Sequence, residues 1–233
     1  MSKDIAIFGF KDSSVGQLIN MLPLSQKKKL NCIIISEKIS KINIKKEHEK
    51  RPNKKTEFII NDKIFNLPIF QEKNFIKILD KKKIKKVYIM EDNGFLREKI
   101  FKKIKKTNIE ILKFIHKSVK LMGENEIGEG SIIFPDCYIG YKSDIGKSCV
   151  IQSGCRIDHH NVIGNFCDIN PNLVTGGFSK IGNFCEINIS VTIINRIKIG
   201  DKSRIGAGSL VLKDIKKNQF FFGIPARFLR KIN

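Results

Sequence analysis

Residues 139–181 read IGYKSDIGKSCVIQSGCRIDHHNVIGNFCDINPNLVTGGFSKI, and the isoleucines fall on a strict beat: Ile139, Ile145, Ile151, Ile157, Ile163, Ile169 and Ile181. The beat extends back through Ile133 to Ile127 and forward through Ile187, Ile193, Ile199 and Ile205 to Val211. Thr175, followed by Gly176 and Gly177, breaks it. Four residues after the isoleucine a small residue recurs: Ser131, Cys137, Ser143, Cys149, Cys155, Cys167, Ser179, Cys185, Ser203 and Ser209. The residue directly after it is often glycine, as at Gly128, Gly140, Gly146, Gly164, Gly182, Gly200 and Gly206. A period of six matches neither the 3.6 of a helix nor a flat strand of period two. A short fixed repeat reads as a solenoid, here a parallel β-helix. Six residues make a flat face and a corner, and three faces close a triangular coil. The isoleucine points inward, the small residue packs at the inner corner, and glycine serves the turn where a Cβ would clash. Neighbouring coils lie one strand spacing apart, about 4.8 Å.

The 233 residues leave room for one large or two modest domains. No run of about 18 apolar residues predicts a membrane span. The N-terminus, MSKDIAIFGF, enters a strand-like run without a signal-peptide pattern, so the expected compartment is the cytosol. The net charge of +21 raises nucleic acid as a partner. The lysines are spread through segments rich in Ile, Lys and Asn, with no aromatic-studded RNA motif or recognition helix, and that partner is set aside. Five of the six cysteines occupy the inner-corner position and read as small core residues rather than metal or redox groups.

Ahead of the repeat the pattern changes. Asp4–Gly9, Leu30–Ser36 and Lys86–Met90 read as buried strands, Ile109–Phe114 as another, and Phe58–Phe70 as short strands. Val15–Leu24, Asn74–Lys82 and Gly94–Lys106 read as helices, Gly9–Gly16 as a loop, and Lys38–Lys55 as a solvated charged extension. Strands alternating with helices predict a small parallel α/β domain over 1–114, whose ligand crevice lies at the carboxyl ends of its strands. The loop from Gly9 to Gly16 is a weak phosphate loop, since it is not G-x-G-x-x-G. The solenoid follows over 115–233 and holds about five and a half coils. The terminal GIPARFLRKI, apolar and basic, is expected to cap its open end.

Four histidines are present: His48, His116, His159 and His160. His48 lies in a charged run and His116 at the domain junction. His159 and His160 interrupt the repeat just after Ile157. A histidine, with an ordinary pKa near 6.5, is the natural general base at neutral pH. Thr175 lies one coil beyond Ile157, so the register break is expected directly above the histidine pair. A backbone N–H exposed at Gly176-Gly177 is a candidate oxyanion donor.

Asp92-Asn93 with Leu96-Arg97, Ile115-His116-Lys117-Ser118, Ile157-Asp158-His159, Ile163-Gly164, Gly177, Ile205-Gly206-Ala207-Gly208 and Gly223-Ile224-Pro225-Ala226 carry a resemblance over nearly the whole chain. The chain resembles the sialic-acid O-acetyltransferase and nucleotide-linked 4-amino-sugar N-acetyltransferase branch of the hexapeptide acyltransferases. The resemblance implies a Rossmann-like α/β domain that binds a nucleotide sugar, a left-handed β-helix that binds acetyl-CoA, and a homotrimer with the coenzyme between neighbouring solenoids. It puts the general base at His159 and the thioester-facing N–H at Gly177. Acetyl-CoA contacts fall on Asp168, Ile189 and Ala207, and substrate-side positions on Ser13, Ser14, Asp92 and Gln152. Three positions depart from the family pattern. His160 stands where an acidic residue often follows the base, Asp168 where a second histidine usually lies, and Phe10-Lys11-Asp12-Ser13-Ser14 replaces a glycine-rich loop.

The activity implied is acetyl-CoA-dependent N-acetylation of a nucleotide-linked amino sugar for a surface glycan, with His159 and His160 both in the catalytic set and no metal. O-acetylation of a sialic- or legionaminic-type sugar would use the same base. A non-catalytic scaffold is the alternative from a different class. A zinc enzyme on this fold would need three converging histidines, and only the adjacent pair lies in the solenoid proper.

Overall fold

The structure is a computed structural model and describes residues 2–9, 12–35, 63–64, 66–71 and 74–232. The charged run at 38–55, with His48, lies outside them. Two compact units form, one from Met1–Asp92 and Ile100–Ile111, the other from Asn93–Lys99 and Leu112–Asn233.

The first unit is built on parallel strands Ile5–Phe8, Leu30–Ile35, Leu67–Gln71, Lys86–Ile89 and Glu110–Ile111, with Lys63–Ile64 antiparallel at one edge. Taken in chain order, the parallel strands lie in the sheet as 3-2-1-4-5. The direction of winding therefore reverses between the first and the fourth, which pair from Ile5↔Lys86 to Phe8↔Ile89. Strands covered on both faces read as continuous apolar runs, and Ile5 to Phe8 and Val87 to Ile89 are all buried. The helices are Asp12–Met21, Leu24–Lys27, Phe75–Lys81 and Gly94–Ile104. The first starts at Asp12, inside the segment expected to be loop, and stops at Met21. Pro23 ends it, because proline lacks the N–H that the ladder needs there.

The second unit is the solenoid. The strands of its repeat are two residues long and pair in parallel with the strand eighteen residues on, as in Ile139↔Ile157, Ile145↔Ile163 and Ile151↔Ile169. Three sheets result, of six, four and eight strands. The inward isoleucines stack in columns and are buried from Ile133 onward, with Ile127 half-buried at the first coil. Each contributes roughly 1.5–3 kcal/mol by leaving water. The corner cysteines are buried as well, with thiols near carbonyls further along, Cys149 Sγ at 2.9 Å from Gly164 O and Cys167 Sγ at 3.0 Å from Gly182 O. Burial pushes the Cys167 thiol well above its ordinary pKa.

The turn chemistry differs from the expectation in one respect. The left-handed backbone falls three residues after the isoleucine, mostly on non-glycine residues such as Lys142, His160, Phe178 and Arg196. The glycine directly after the isoleucine serves close approach instead. A Cβ at Gly146 would lie 2.6 Å from the Gly164 carbonyl carbon of the next coil.

Strand Phe114–Ile115 opens the solenoid by pairing with Ile132–Ile133. At the other end, Gln219–Phe222 extends the same sheet beside Arg204–Ile205, and Arg227–Lys231 folds back on it as an antiparallel hairpin. The segment from Asn93 to Lys99 packs in this unit. Asn93 Oδ1 accepts the N–H groups of Phe95 and Leu96, and Gly94 leaves no space for a side chain against the Phe166 carbonyl. Arg97 is fully buried. Its Nε donates to Ser148 O at 2.9 Å, Nη2 to the Phe166 and Cys167 carbonyls at 3.1 Å, and Nη1 to Asp168 Oδ1 at 2.7 Å. Among the described residues no helix is long and apolar enough to cross a membrane, and no cluster of His, Cys, Asp and Glu is arranged to hold a metal.

Candidate active site

His159 stands at the corner that follows strand Arg156–Ile157. Its N–H donates to Asp158 Oδ1 at 2.8 Å, and its carbonyl accepts the Phe178 N–H at 3.0 Å. His160 takes the left-handed conformation of the corner, φ +55°, and its N–H donates to Tyr141 O. The two adjacent side chains thereby meet, with Nδ1 of His159 3.0 Å from Nδ1 of His160. Only one proton fits between two ring nitrogens that close. When His159 Nδ1 carries it and His160 Nδ1 accepts, His159 Nε2 is left with a lone pair.

One coil on, Thr175 pairs with Ile157 and the Gly176-Gly177 step comes up beside the imidazole. A Cβ on Gly177 would lie 2.5 Å from His159 Cε1 and 2.6 Å from Nε2. The ring therefore rests on the bare Cα. Among the described residues no acceptor engages the Gly177 N–H, whereas the N–H groups of both its neighbours are bonded, Gly176 to Ile193 O and Phe178 to His159 O. The register break lies above the histidine pair as the spacing predicts.

An aromatic and charged rim frames this corner. His160 stacks on Phe178 at 4.7 Å and 18°, Tyr141 stands edge-on to His160, and the Arg196 guanidinium lies 5.1 Å from the Phe178 ring. Tyr141 Oη donates to Glu124 at 2.5 Å, and Lys142 approaches the same carboxylate at 3.3 Å. The Tyr141 hydrogen bond first, and Lys142 next, hold the Glu124 carboxyl below its ordinary value.

The remaining expected residues are distributed elsewhere. Ile189 and Ala207 are exposed and stack one above the other, with the Gly208 N–H on Ile189 O. They follow the eight-stranded sheet, so they line a different corner from His159, which follows the six-stranded one. Gln152 follows the eight-stranded sheet too, its N–H on Ile169 O. Asp168 is the counter-ion of buried Arg97. In the first unit, Ser14 Oγ donates to Asp92 Oδ1 at 2.8 Å, which joins the segments that follow the first and fourth parallel strands at the switch point. The side chain of Ser13 lies outside the described residues. Sequence reasoning quoted Arg97 only within a motif, without its partners, and missed the parts played by Phe178 and Asn161. Of those two, Asn161 left a signal, as a large polar residue in the small-residue register.

Fold and site together define a class, a solenoid of six-residue repeats with a histidine at one corner, joined to a small parallel α/β unit. No family model matches the chain, and no curated protein matches it either. Solved structures share the fold over almost the full length. PerB from Caulobacter crescentus, solved in complex with CoA and GDP-perosamine, superposes with a TM-score of 0.81 at 18% identity, covering 97% of each chain. The acetyltransferase domain of PglB from Neisseria gonorrhoeae, in complex with acetyl coenzyme A, gives 0.78 at 15% identity, covering 98% of this chain and 100% of that one. WeeI from Acinetobacter baumannii gives 0.67 at 19%, covering 97% and 99%.

Proposed function

We propose that the protein is an acetyl-CoA-dependent N-acetyltransferase that modifies a nucleotide-linked amino sugar in the cytosol, with a left-handed solenoid carrying the reaction and the Rossmann-like unit holding the nucleotide. The observation that carries the proposal is the seating of His159 on Gly177, with Nδ1 fixed by His160. The ligands of PerB and PglB support the choice of substrates. In the reaction the neutral amine attacks the thioester carbonyl carbon and His159 Nε2 takes the proton that the nitrogen sheds. His160 Nδ1 accepts the hydrogen bond from the imidazolium so formed. The Gly177 N–H, which meets no acceptor among the described residues, stabilises the oxyanion. Collapse expels the CoA thiolate, which recovers the proton from His159. No acyl-enzyme is required.

The exposed apolar column of Ile189 and Ala207 suits the pantetheine arm, yet it lies at a different corner from His159. One chain therefore supplies two half-sites, and a closed trimer brings the His159 corner of one copy to the Ile189 corner of the next. The Ser14–Asp92 bridge at the switch point supports placing the substrate's nucleotide there. Acetyl-CoA turnover with UDP-, dTDP- and GDP-linked amino sugars, and with sialic-type sugars as O-acceptors, tests the reading. Turnover with an amine acceptor is expected. O-acetylation alone would replace the acceptor class, and no turnover with any would refute it.

A further inference from the structure

The coil below Gly177 departs from the repeat in a way that concerns its hydrogen bonds. In the regular coils, the N–H directly after the inward isoleucine donates to the carbonyl of the residue one coil above that isoleucine. Gly140 donates to Ile157 O, Gly146 to Ile163 O, Gln152 to Ile169 O, Gly164 to Ile181 O and Asn170 to Ile187 O. At Asp158, the residue before His159, the bond leaves the ladder. Its N–H donates to the Thr175 hydroxyl oxygen at 3.1 Å. The Asp158 carbonyl is held from inside by two groups, Ser143 Oγ at 2.5 Å and Asn161 Nδ2 at 2.7 Å. Asn161 Nδ2 also donates to Thr175 Oγ1 at 3.0 Å, and Asn161 Oδ1 accepts the Ser179 N–H at 2.7 Å. Asn161 and Thr175 are both buried.

The two residues break the repeat together. Asn161 replaces the Ser or Cys of the inner corner, and Thr175 replaces the isoleucine of the column. In other coils the small corner residue reaches forward, as when Ser131 Oγ donates to Gly146 O and Ser179 Oγ to Ile194 O. Asn161 instead turns back to Asp158. Burying an amide and a hydroxyl where the neighbouring coils bury a small residue and an isoleucine forgoes stability, and such an exchange is found where activity needs a specific geometry. We infer that Asn161 and Thr175 are positioning residues. Together they clamp both backbone groups of Asp158 and so fix the start of the corner from which His159 reaches Gly177 and His160.

This inference rests on the acetyltransferase reading, and its test is built so that the two fail separately. Asn161→Ser combined with Thr175→Ile restores the repeat's own residues. The double variant is expected to fold with a Tm no lower than wild type and to lose roughly 10- to 100-fold in kcat, the scale of a misplaced catalytic group, with KM for acetyl-CoA within about twofold. Thr175→Val, isosteric but without the hydroxyl, should show the same split if the double variant fails to fold, and Thr175→Ser should restore the rate. Full kcat in folded Thr175→Val or in the double variant overturns the inference. If wild type turns over no acceptor, long-range ¹H–¹⁵N NMR of the His159 ring decides without substrate. Loss in Thr175→Val of the single tautomer expected in wild type supports the clamp, and unchanged ring signals overturn it.

Discussion

Gly177→Ala separates catalysis from folding at a single atom. The new Cβ would sit 2.5 Å from His159 Cε1, about 0.9 Å short of the 3.4 Å at which ordinary contact begins. The backbone of Gly177 is not in the left-handed region, so alanine adopts it without strain. The atoms in the way belong to a part-buried imidazole rather than to backbone, so the ring gives and the coil stays. The fold should hold, with a stability change within about 1 kcal/mol. The ring must move by nearly 1 Å, which disturbs its bond to His160 and its position against the proposed oxyanion donor. A displacement of that size costs on the order of 100-fold in kcat. Gly164→Ala is the control. Its Cβ would lie 2.7 Å from the Gly182 carbonyl carbon, where backbone must shift. It should lower Tm by several degrees, as a loss of about 1–3 kcal/mol from overpacking implies, and its nearest neighbours, Gly182 and Asn183, are outside the proposed catalytic set. Thiol release from acetyl-CoA measures the rates and a thermal melt the stability. Gly177→Ala with full kcat would refute the placement of His159 on Gly177.

His159→Ala should lower kcat by about two to four orders of magnitude with an unchanged melt, and His160→Ala by less, since it acts through its neighbour; a total loss in His160→Ala alone would reverse the two roles. Arg97→Ala should cost about 3–5 kcal/mol in urea unfolding, because Asp168 and three carbonyls lose their donor inside the second unit. The six cysteines should resist a disulfide reagent in the native state and all react in denaturant; burial lifts the Cys32 thiol to about 11, and rapid native labelling would contradict the packing. Light scattering should give about three chain masses. Mixing His159→Ala chains with chains blocked at Ala207 should restore activity, because some interfaces in a mixed trimer pair two intact halves; no rescue despite subunit exchange would refute the shared site.

Much of this molecule is written in its period. Once six residues make a face and a corner, the inward column, the buried small residues and the stacking of Thr175 on Ile157 follow by counting, because a solenoid converts sequence spacing directly into height. The same counting puts the Gly176-Gly177 step above the histidine pair. The buried strands of the first unit were legible for a related reason: a strand covered on both faces must be apolar throughout. Spacing says nothing, however, about where a corner side chain points. His160 meets His159 because a single residue takes φ +55° and turns its ring along the edge. Bonds between distant parts of the chain escape counting as well. Arg97 finds Asp168, and Ser14 finds Asp92, across separations of 71 and 78 residues. Thr175 reads as a lone lapse in the repeat, and only the stacked coils join it to Asn161 through the backbone of Asp158. A buried donor must find its acceptor in three dimensions, and no periodicity records which one it takes.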